Sequence, residues 1–228
     1  MSRRRVSNPL ALAVLSCLTE RPMHPYEIST TLRSRGKENS IKLNYGSLYA
    51  VVESLSKHGL IASRETTREG RRPERTVYEI TEAGITECED WLAELLSTPV
   101  RDYTSLEAGL SLMPVLPPDE VARLLSERVE RLRMDLRAID ASHSVAVDMG
   151  VPDLFLIEGL YRRSMLTAEL DFVSALADNI RSSALHGTKE WRRLHELRCQ
   201  GVTWEQISHD LVGYLGEGAQ AFNPDPQD

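Results

Sequence analysis

In the segment NYGSLYAVVESLSKHGLI, residues 44–61, small and hydrogen-bonding side chains alternate with apolar ones at helical spacing. The apolar positions predict one buried helix face: Leu48, Val51, Val52 and Leu55. The opposite face carries Gly46, Ala50, Glu53 and Lys57, with Tyr49 at its flank. Such small side chains let a helix lie against a groove floor, where Ala50 suits a thymine methyl and Glu53 a cytosine amino group. An ordinary solvent-exposed face is the alternative.

The first turn of this predicted helix is rich in short hydrogen-bonding groups that suit a phosphate. It holds Asn44, Tyr45, Ser47 and Tyr49, and Lys42 precedes it. Backbone amides and the helix dipole favour an anion at such a terminus, so we predict contacts with DNA phosphates there. For Tyr45 a role in the core is an equal alternative, because it projects close to the apolar stripe.

A basic cluster lies at residues 68–75, REGRRPER, between two stretches rich in β-forming residues, LIASRETT and RTVYEIT. This order predicts a hairpin with a long basic tip. We predict that Arg71, Arg72 and Arg75 enter a narrow minor groove or bind phosphates. A solvated loop is the alternative.

The charge distribution also points to a polyanion partner for the N-terminal part. Residues 1–80 carry 14 Lys and Arg against 8 Asp and Glu, a net of +6. The remaining residues carry 13 against 26, a net of −13. A basic head joined to an acidic body favours DNA binding at the head and limits non-specific adhesion elsewhere.

The elements that must position these residues follow from periodicity and cap residues. We predict helices over Pro9–Glu20, from Pro25 to Gly36, from the Asn44 cap to Gly59, and from Thr81 through Leu96, with a short β-like run, SIKL, at residues 40–43. Three helices followed by a hairpin is the order of a winged helix-turn-helix, whose third helix enters the major groove.

Beyond Pro117 the pattern is helical. One predicted helix, from Asp119 to about Met149, keeps apolar residues at steps of three and four: Ala122, Leu125, Val129, Leu132, Leu136 and Ile139. A seam this narrow needs a partner helix, and the segment Asp153–Ile180, in this chain or in a second copy, is the candidate. The segment TSLEAGLSLM predicts a shorter helix, and TWEQISHDL a helix packed on the body.

The predicted fold is mostly α with a small β-hairpin wing. We predict a winged helix-turn-helix DNA-binding domain at residues 1–97 and a connecting segment at 98–117. A helical, coiled-coil-like dimerisation domain follows at 118–183, and a helical extension with a frayed tail at 184–228.

Three stretches together, ERPMHPYEI, NYGSLYAVVESLSKHGLI and GRRPERTVYEITEAG, resemble the PadR family of bacterial transcription regulators over roughly residues 9–97. The resemblance implies a dimer that binds a palindromic operator, usually as a repressor that a small molecule releases. Glu53, Ser54 and Glu74 stand where basic residues are common in the family. They keep one alternative open, a winged-helix protein-interaction module without DNA binding. A small-molecule-binding dimer, built on a cavity between the subunits, is a separate alternative.

The sequence leaves two roles open for Trp91, packing in the core and stacking on a ligand. It lies on the helix after the wing, where a large aromatic side chain most often packs in the core. If ligand sensing applies, Trp91 is the candidate for stacking on a small aromatic effector.

Other classes of function find no support. The chain lacks the glycine-rich, nucleophile and zinc-protease motifs of common enzymes, so we predict no enzyme and no cofactor. His195, Cys199 and His209 have ligand types but no accepted zinc spacing, which predicts no metal site. Three distant cysteines and the absence of a long apolar run predict a cytoplasmic protein without a membrane partner.

Overall fold

The structure is a computed structural model of the 228-residue chain that describes residues 8–67, 75–216 and 218–219, with the backbone alone at residues 45, 65–67 and 75. The chain divides into two compact units, residues 1–101 and 102–228. Among the described residues, no helix combines the length and the apolar character that crossing a bilayer requires.

The first unit holds four helices and a two-stranded antiparallel hairpin. These are α1 (Pro9–Glu20), α2 (Pro25–Ser34), α3 (Tyr45–Lys57), β1 (Ile61–Thr67), β2 (Arg75–Ile80) and α4 (Glu82–Ser97). The predicted winged-helix order of elements is therefore confirmed.

α1 forms the centre of this unit because it is apolar almost all round. Every residue from Leu10 to Leu15 is buried, together with Cys17 and Leu18. Proline at the first helical position and the Asn8 cap, whose Oδ1 accepts from the amide of Leu10 at 2.9 Å, start the helix as predicted. α2, α3, α4 and β2 all pack against α1, so the apolar face of α3 is held by a rigid support.

The prediction of a β-like run at residues 40–43 is wrong. The described chain there forms a 3-10 turn at Lys37–Asn39 and then an irregular segment. Ile41 and Leu43 are half-buried against the core and pair with no strand. Their apolar character serves packing, because a β-like sequence without a neighbouring strand has no ladder to join.

α3 ends in a Schellman motif at Gly59, the residue at which the sequence predicts its end. The amide of Leu60 donates to the carbonyl of Leu55 at 3.0 Å, and the amide of Gly59 donates to Ser56 at 3.0 Å. Gly59 has a φ of 71°, which a residue with a side chain rarely adopts. The chain therefore turns directly into β1.

The second unit is helical throughout its described residues. It contains α5 (Ser105–Ser111), α6 (Pro118–Asp148), α7 (Ile157–Arg181), α8 (Thr188–Cys199), α9 (Trp204–His209) and α10 (Leu211–Leu215). α6 and α7 form an antiparallel pair, joined by hydrogen bonds from Arg128 Nε to Glu169 at 2.6 Å and from Arg163 Nε to Asp140 at 2.6 Å. The apolar seam of α6 that the periodicity predicted thus packs against α7 of the same chain.

Two apolar clusters stabilise this unit. Residues of the first half of α6 pack against Val173, Ala177 and Ile180 of α7, and Leu106, Met113 and Trp191 join them. A separate cluster around Leu197, Ile207 and Leu215 holds α8, α9 and α10 together. The segment TWEQISHDL therefore packs on its helical neighbours, as expected.

Candidate nucleic-acid interface

The outward face of α3 is the candidate recognition surface. Leu48, Val51, Val52 and Leu55 are buried, whereas Gly46, Ala50, Glu53 and Lys57 are exposed and the Tyr49 side chain is 49% exposed. The predicted division of this helix into a buried and an open face is confirmed. Its open face presents a strip of small side chains, with one acidic and one basic side chain toward the C-terminal end. DNA contact by these residues stays a prediction.

At the start of α3, Asn44 is engaged as the helix cap. Its Oδ1 accepts from the amide of Ser47 at 2.7 Å, and its backbone carbonyl accepts from Leu48 at 3.0 Å. The Ser47 amide is therefore already satisfied, and Asn44 retains its side-chain NH₂ as a donor. Ser47 is half-buried and Lys42 is exposed. The Tyr45 side chain lies outside the described residues.

The wing is built on a regular ladder whose tip is not described. Ile61 pairs with Ile80 and Thr67 with Arg75, with a register shift between Ser63 and Glu65. Arg71 and Arg72 lie outside the described residues, and Arg75 is described only in its backbone. Their predicted contacts with DNA stay predictions.

The motif ERPMHPYEI has a structural task that the sequence did not reveal. His24 caps α2: its Nδ1 accepts from the amide of Tyr26 at 3.1 Å, and Glu27 accepts from the amide of His24 at 2.8 Å. Met23 exchanges two backbone hydrogen bonds of 3.0 Å with Tyr78 of β2. The motif therefore fixes the start of α2 and ties it to the wing. Its sequence signal is a glutamate three residues after the cap.

The exit from the wing is equally constrained. The Thr81 hydroxyl donates to the carbonyl of Gly59 at 2.8 Å and accepts from the amide of Gly84 at 3.1 Å, so it joins the end of α3 to the start of α4. A Cβ placed on Gly84 would lie 2.0 Å from the carbonyl oxygen of Leu60. Glycine is needed here because the backbones approach so closely.

An exposed ion pair holds the ends of α1 and α2. The Nη2 of Arg35 donates to Glu20 Oε2 at 2.7 Å, and a second hydrogen bond joins the same two side chains. These hydrogen bonds hold the pKa of the Glu20 carboxyl below its usual value. The pair thus links the end of α1 to the end of α2.

Trp91 lies in the core of the first unit. Its side chain is 5% exposed and belongs to the same cluster as α1 and Cys88. Burial raises the pKa of the Cys88 and Cys17 thiols, so neither is a ready nucleophile. The position favours the packing alternative for Trp91, because a ligand could stack on this ring only after displacing its neighbours.

Residues 14–90 match the sequence model of the transcriptional regulator PadR-like family. The N-terminal unit is a PadR-like domain. The resemblance carried by the three sequence motifs is confirmed, and the domain type agrees with the winged-helix order of the elements.

Several solved structures share the fold. PadR of Bacillus subtilis in complex with operator DNA matches with a TM-score of 0.58 and 21% identity, covering 75% of this chain and 99% of that one. The same protein in complex with p-coumaric acid matches with a TM-score of 0.57 and 19% identity, covering 74% and 98%. The virulence activator AphA of Vibrio cholerae matches with a TM-score of 0.56 and 16% identity, covering 76% and 99%. No curated protein matches the chain in sequence.

Proposed function

We propose that this protein is a homodimeric transcription regulator that binds palindromic operator DNA in the cytoplasm. The open face of α3 carries the proposal: a strip of small side chains, supported from behind by a fully buried stripe, in a PadR-like domain. Gly46 and Ala50 let the helix approach the bases, while Tyr49, Glu53 and Lys57 supply polar contacts. The basic wing residues add contacts with phosphates.

The test uses the intergenic DNA beside the protein's own gene as a probe in a fluorescence anisotropy titration. Ala50→Glu places a negative charge at the centre of the proposed interface and should abolish specific binding. Ala93→Glu, at an exposed position on α4, is the matched control and should bind like the unaltered protein. Equal binding by both variants would remove α3 from the interface, and no binding by the unaltered protein would favour the protein-interaction alternative, to which exposed Glu53 gives some support.

A second copy of the chain is the proposed partner of the helical unit. α7 presents a row of apolar side chains, each more than half exposed, at steps of four and seven residues: Ile157, Tyr161, Met165 and Phe172. α6 presents an exposed apolar row at steps of three and four residues: Met134, Ala138, Ala141 and Val145. Repeated apolar rows at this spacing are typical of helices that pack on further helices. We therefore propose dimerisation by residues 118–183, DNA binding by 1–97, a connecting segment at 98–117, and a helical extension with a frayed tail at 184–228.

We further propose that the dimer represses and that a small molecule releases it from DNA. PadR of Bacillus subtilis is solved both with operator DNA and with p-coumaric acid, which supports a ligand-responsive regulator. AphA is described as an activator, so the direction of control needs its own test. A reporter gene behind the operator should be expressed more strongly when the regulator's gene is deleted, and weaker expression would make this protein an activator.

A further inference from the structure

The second unit contains a groove. One wall is formed by α5 and the 3-10 turn that follows it, and the other wall by one side of α6. The volume of the groove is about 590 Å³, within the range of small-molecule sites. Aliphatic side chains form most of its lining, among them Leu106, Leu110, Met113, Leu124 and Leu132. None of the described residues that line it is aromatic. A flexible aliphatic body fits such walls better than a flat aromatic one, because there is no ring on which to stack.

The charged side chains that line the groove lie on α6, and they differ in whether they have an ion-pair partner. Glu127, Arg128, Arg131 and Asp135 line the groove. Arg128 is held by Glu169 at 2.5 Å, and the guanidinium of Arg131 lies 3.8 Å from Glu127. Asp135 makes no hydrogen bond or ion pair with the described residues. Asp135 is therefore the charged side chain of this lining that has no partner among the described residues, although Glu127 is shared between Arg123 and Arg131.

The wider electrostatics point the same way. Residues 102–228 carry 12 Lys and Arg against 21 Asp and Glu, a net of −9. A unit of this charge attracts cations and repels anions before any contact is made. A ligand with a positive head and an aliphatic tail would satisfy both the free carboxylate and the apolar walls.

We propose that this groove binds an aliphatic amphipathic cation, with its tail against the leucines of α5 and α6 and its head beside Asp135. The inference rests on the proposed function in one respect: the bound cation would be the effector that releases DNA. The effector site would then lie in this groove and not at Trp91. The effector would be an aliphatic cation and not a planar aromatic molecule.

Isothermal titration of the full chain with decyltrimethylammonium and with decanoate, both below their micelle-forming concentrations, tests the site without DNA. We expect the cation to bind at least tenfold more tightly than the anion. Asp135→Asn should remove most of that preference, whereas Asp148→Asn, at the far end of α6, should keep it. Equal binding of the two probes, binding of neither, or an unchanged preference in Asp135→Asn would overturn the proposal.

A second pair of variants tests the place of binding. A Cβ on Gly109, which lines the groove, would meet no heavy atom within 4 Å, and the same holds for Gly159 on α7. Gly109→Leu should fill the groove and abolish binding of the cation, while Gly159→Leu should leave it intact; thermal unfolding confirms that both remain folded. Undiminished binding by Gly109→Leu would overturn the proposal. Release of operator DNA by the cation is measured separately, and its failure would count against the regulatory role and not against the site.

Discussion

Glu53 is the residue whose role on α3 is most informative, because it places a negative charge on a face proposed to meet a polyanion. A carboxylate is tolerated there only if it accepts a hydrogen bond, such as that of a cytosine amino group. Glu53→Ala should reduce discrimination at one base pair of each half-site by about 1–3 kcal/mol. The discrimination is measured by anisotropy titrations with a set of operator variants, each of which differs from the operator at one base pair.

Glu89→Ala, an exposed position on α4, is the matched control for Glu53→Ala and should leave the profile unchanged. Uniformly tighter binding to all sequences by Glu53→Ala would show that Glu53 repels phosphates and reads no base. If neither base preference nor affinity changes, α3 does not face the groove.

Gly84 lies in the first turn of α4, directly after the wing, and the structure shows why a glycine is needed there. An added methyl group would overlap the carbonyl oxygen of Leu60 at 2.0 Å and lie 2.8 Å from Cγ1 of Ile80. Gly84→Ala should therefore reduce the free energy of unfolding by about 1–3 kcal/mol, the usual cost of forcing atoms into a packed site. Chemical denaturation followed by circular dichroism measures the change.

Gly46→Ala provides the comparison for Gly84→Ala within the same unit. A Cβ on Gly46 would lie no closer than 3.9 Å to Asn44 Oδ1, an ordinary contact. Because alanine is the better helix former by about 1 kcal/mol, Gly46→Ala should be neutral or stabilising. Equal destabilisation by both substitutions would contradict the close approach of Leu60 and Gly84.

At the residue scale, periodicity predicted which side chains of α3 are buried and which are open, because a helical repeat fixes direction. It did not predict that His24 caps α2, because histidine is an uncommon cap residue. It also left both roles of Trp91 open, since sequence spacing shows that a large ring lies on a helix but not which atoms surround it.

At the element scale, the capping and terminating residues were the strongest signals. Asn8, Asn44, Thr81 and Gly59 each start or end a helix where predicted, because local backbone chemistry decides those boundaries. The run at residues 40–43 was wrong because strand formation requires a neighbour that no local signal reveals. The seam of α6 was clear in the sequence, but its partner was not, since a heptad pattern is the same within a chain and between chains.

Side chains of α8 bind the chain at the start of α6, and these hydrogen bonds can be tested by substitution. The indole N–H of Trp191, a side chain that is 5% exposed, donates to the carbonyl of Leu116 at 2.9 Å, and Arg192 donates to Asp119 at 2.7 Å. Trp191→Phe keeps most of the apolar contact but leaves the Leu116 carbonyl without its donor. The free energy of unfolding should fall by about 1–3 kcal/mol.

The ion pair of Asp119 and Arg192 should contribute much less, because Asp119 is largely exposed. The hydrogen bond from Arg192 holds the pKa of Asp119 below its usual value. A carboxyl whose pKa is lower in the folded state stabilises the protein at neutral pH, and that contribution is lost as the pH falls below about 4. Denaturation at pH 7 and pH 3 should therefore show a slight destabilisation by Asp119→Asn that is smaller at pH 3 than at pH 7, and destabilisation by Trp191→Phe at both. A larger effect of Asp119→Asn than of Trp191→Phe at pH 7 would contradict this order.

At the scale of the whole molecule, the two units differ in net charge, and the basic excess of the first unit is confined to its residues 1–80. The basic excess lies in residues 1–80 and the acidic excess in the remainder, so the two parts are suited to different partners. An acidic helical unit adds no affinity for DNA phosphates of its own. In the proposed dimer, its contribution to operator binding comes through assembly, by holding two DNA-binding domains together.

This dependence on assembly is tested at α7. Tyr161 lies in the exposed apolar row and is 68% exposed in the single chain, so Tyr161→Glu should fold normally yet place a charge in the proposed dimer interface. Sedimentation at micromolar concentration should find the unaltered protein dimeric and this variant monomeric. Asp171→Lys, an exposed position on the same helix, is the control and should remain dimeric.

Operator binding by the same two variants then separates assembly from recognition. Palindromic half-sites lie about 34–36 Å apart, and a dimer gains affinity because its second domain binds at a high effective concentration. Tyr161→Glu should bind the full palindrome no more tightly than a single half-site, a loss of about 10²-fold or more relative to the dimer, while its affinity for one half-site stays unchanged. A variant that is monomeric and still binds the palindrome at full strength would show that each domain acts alone, and the helical unit would then need a function other than dimerisation.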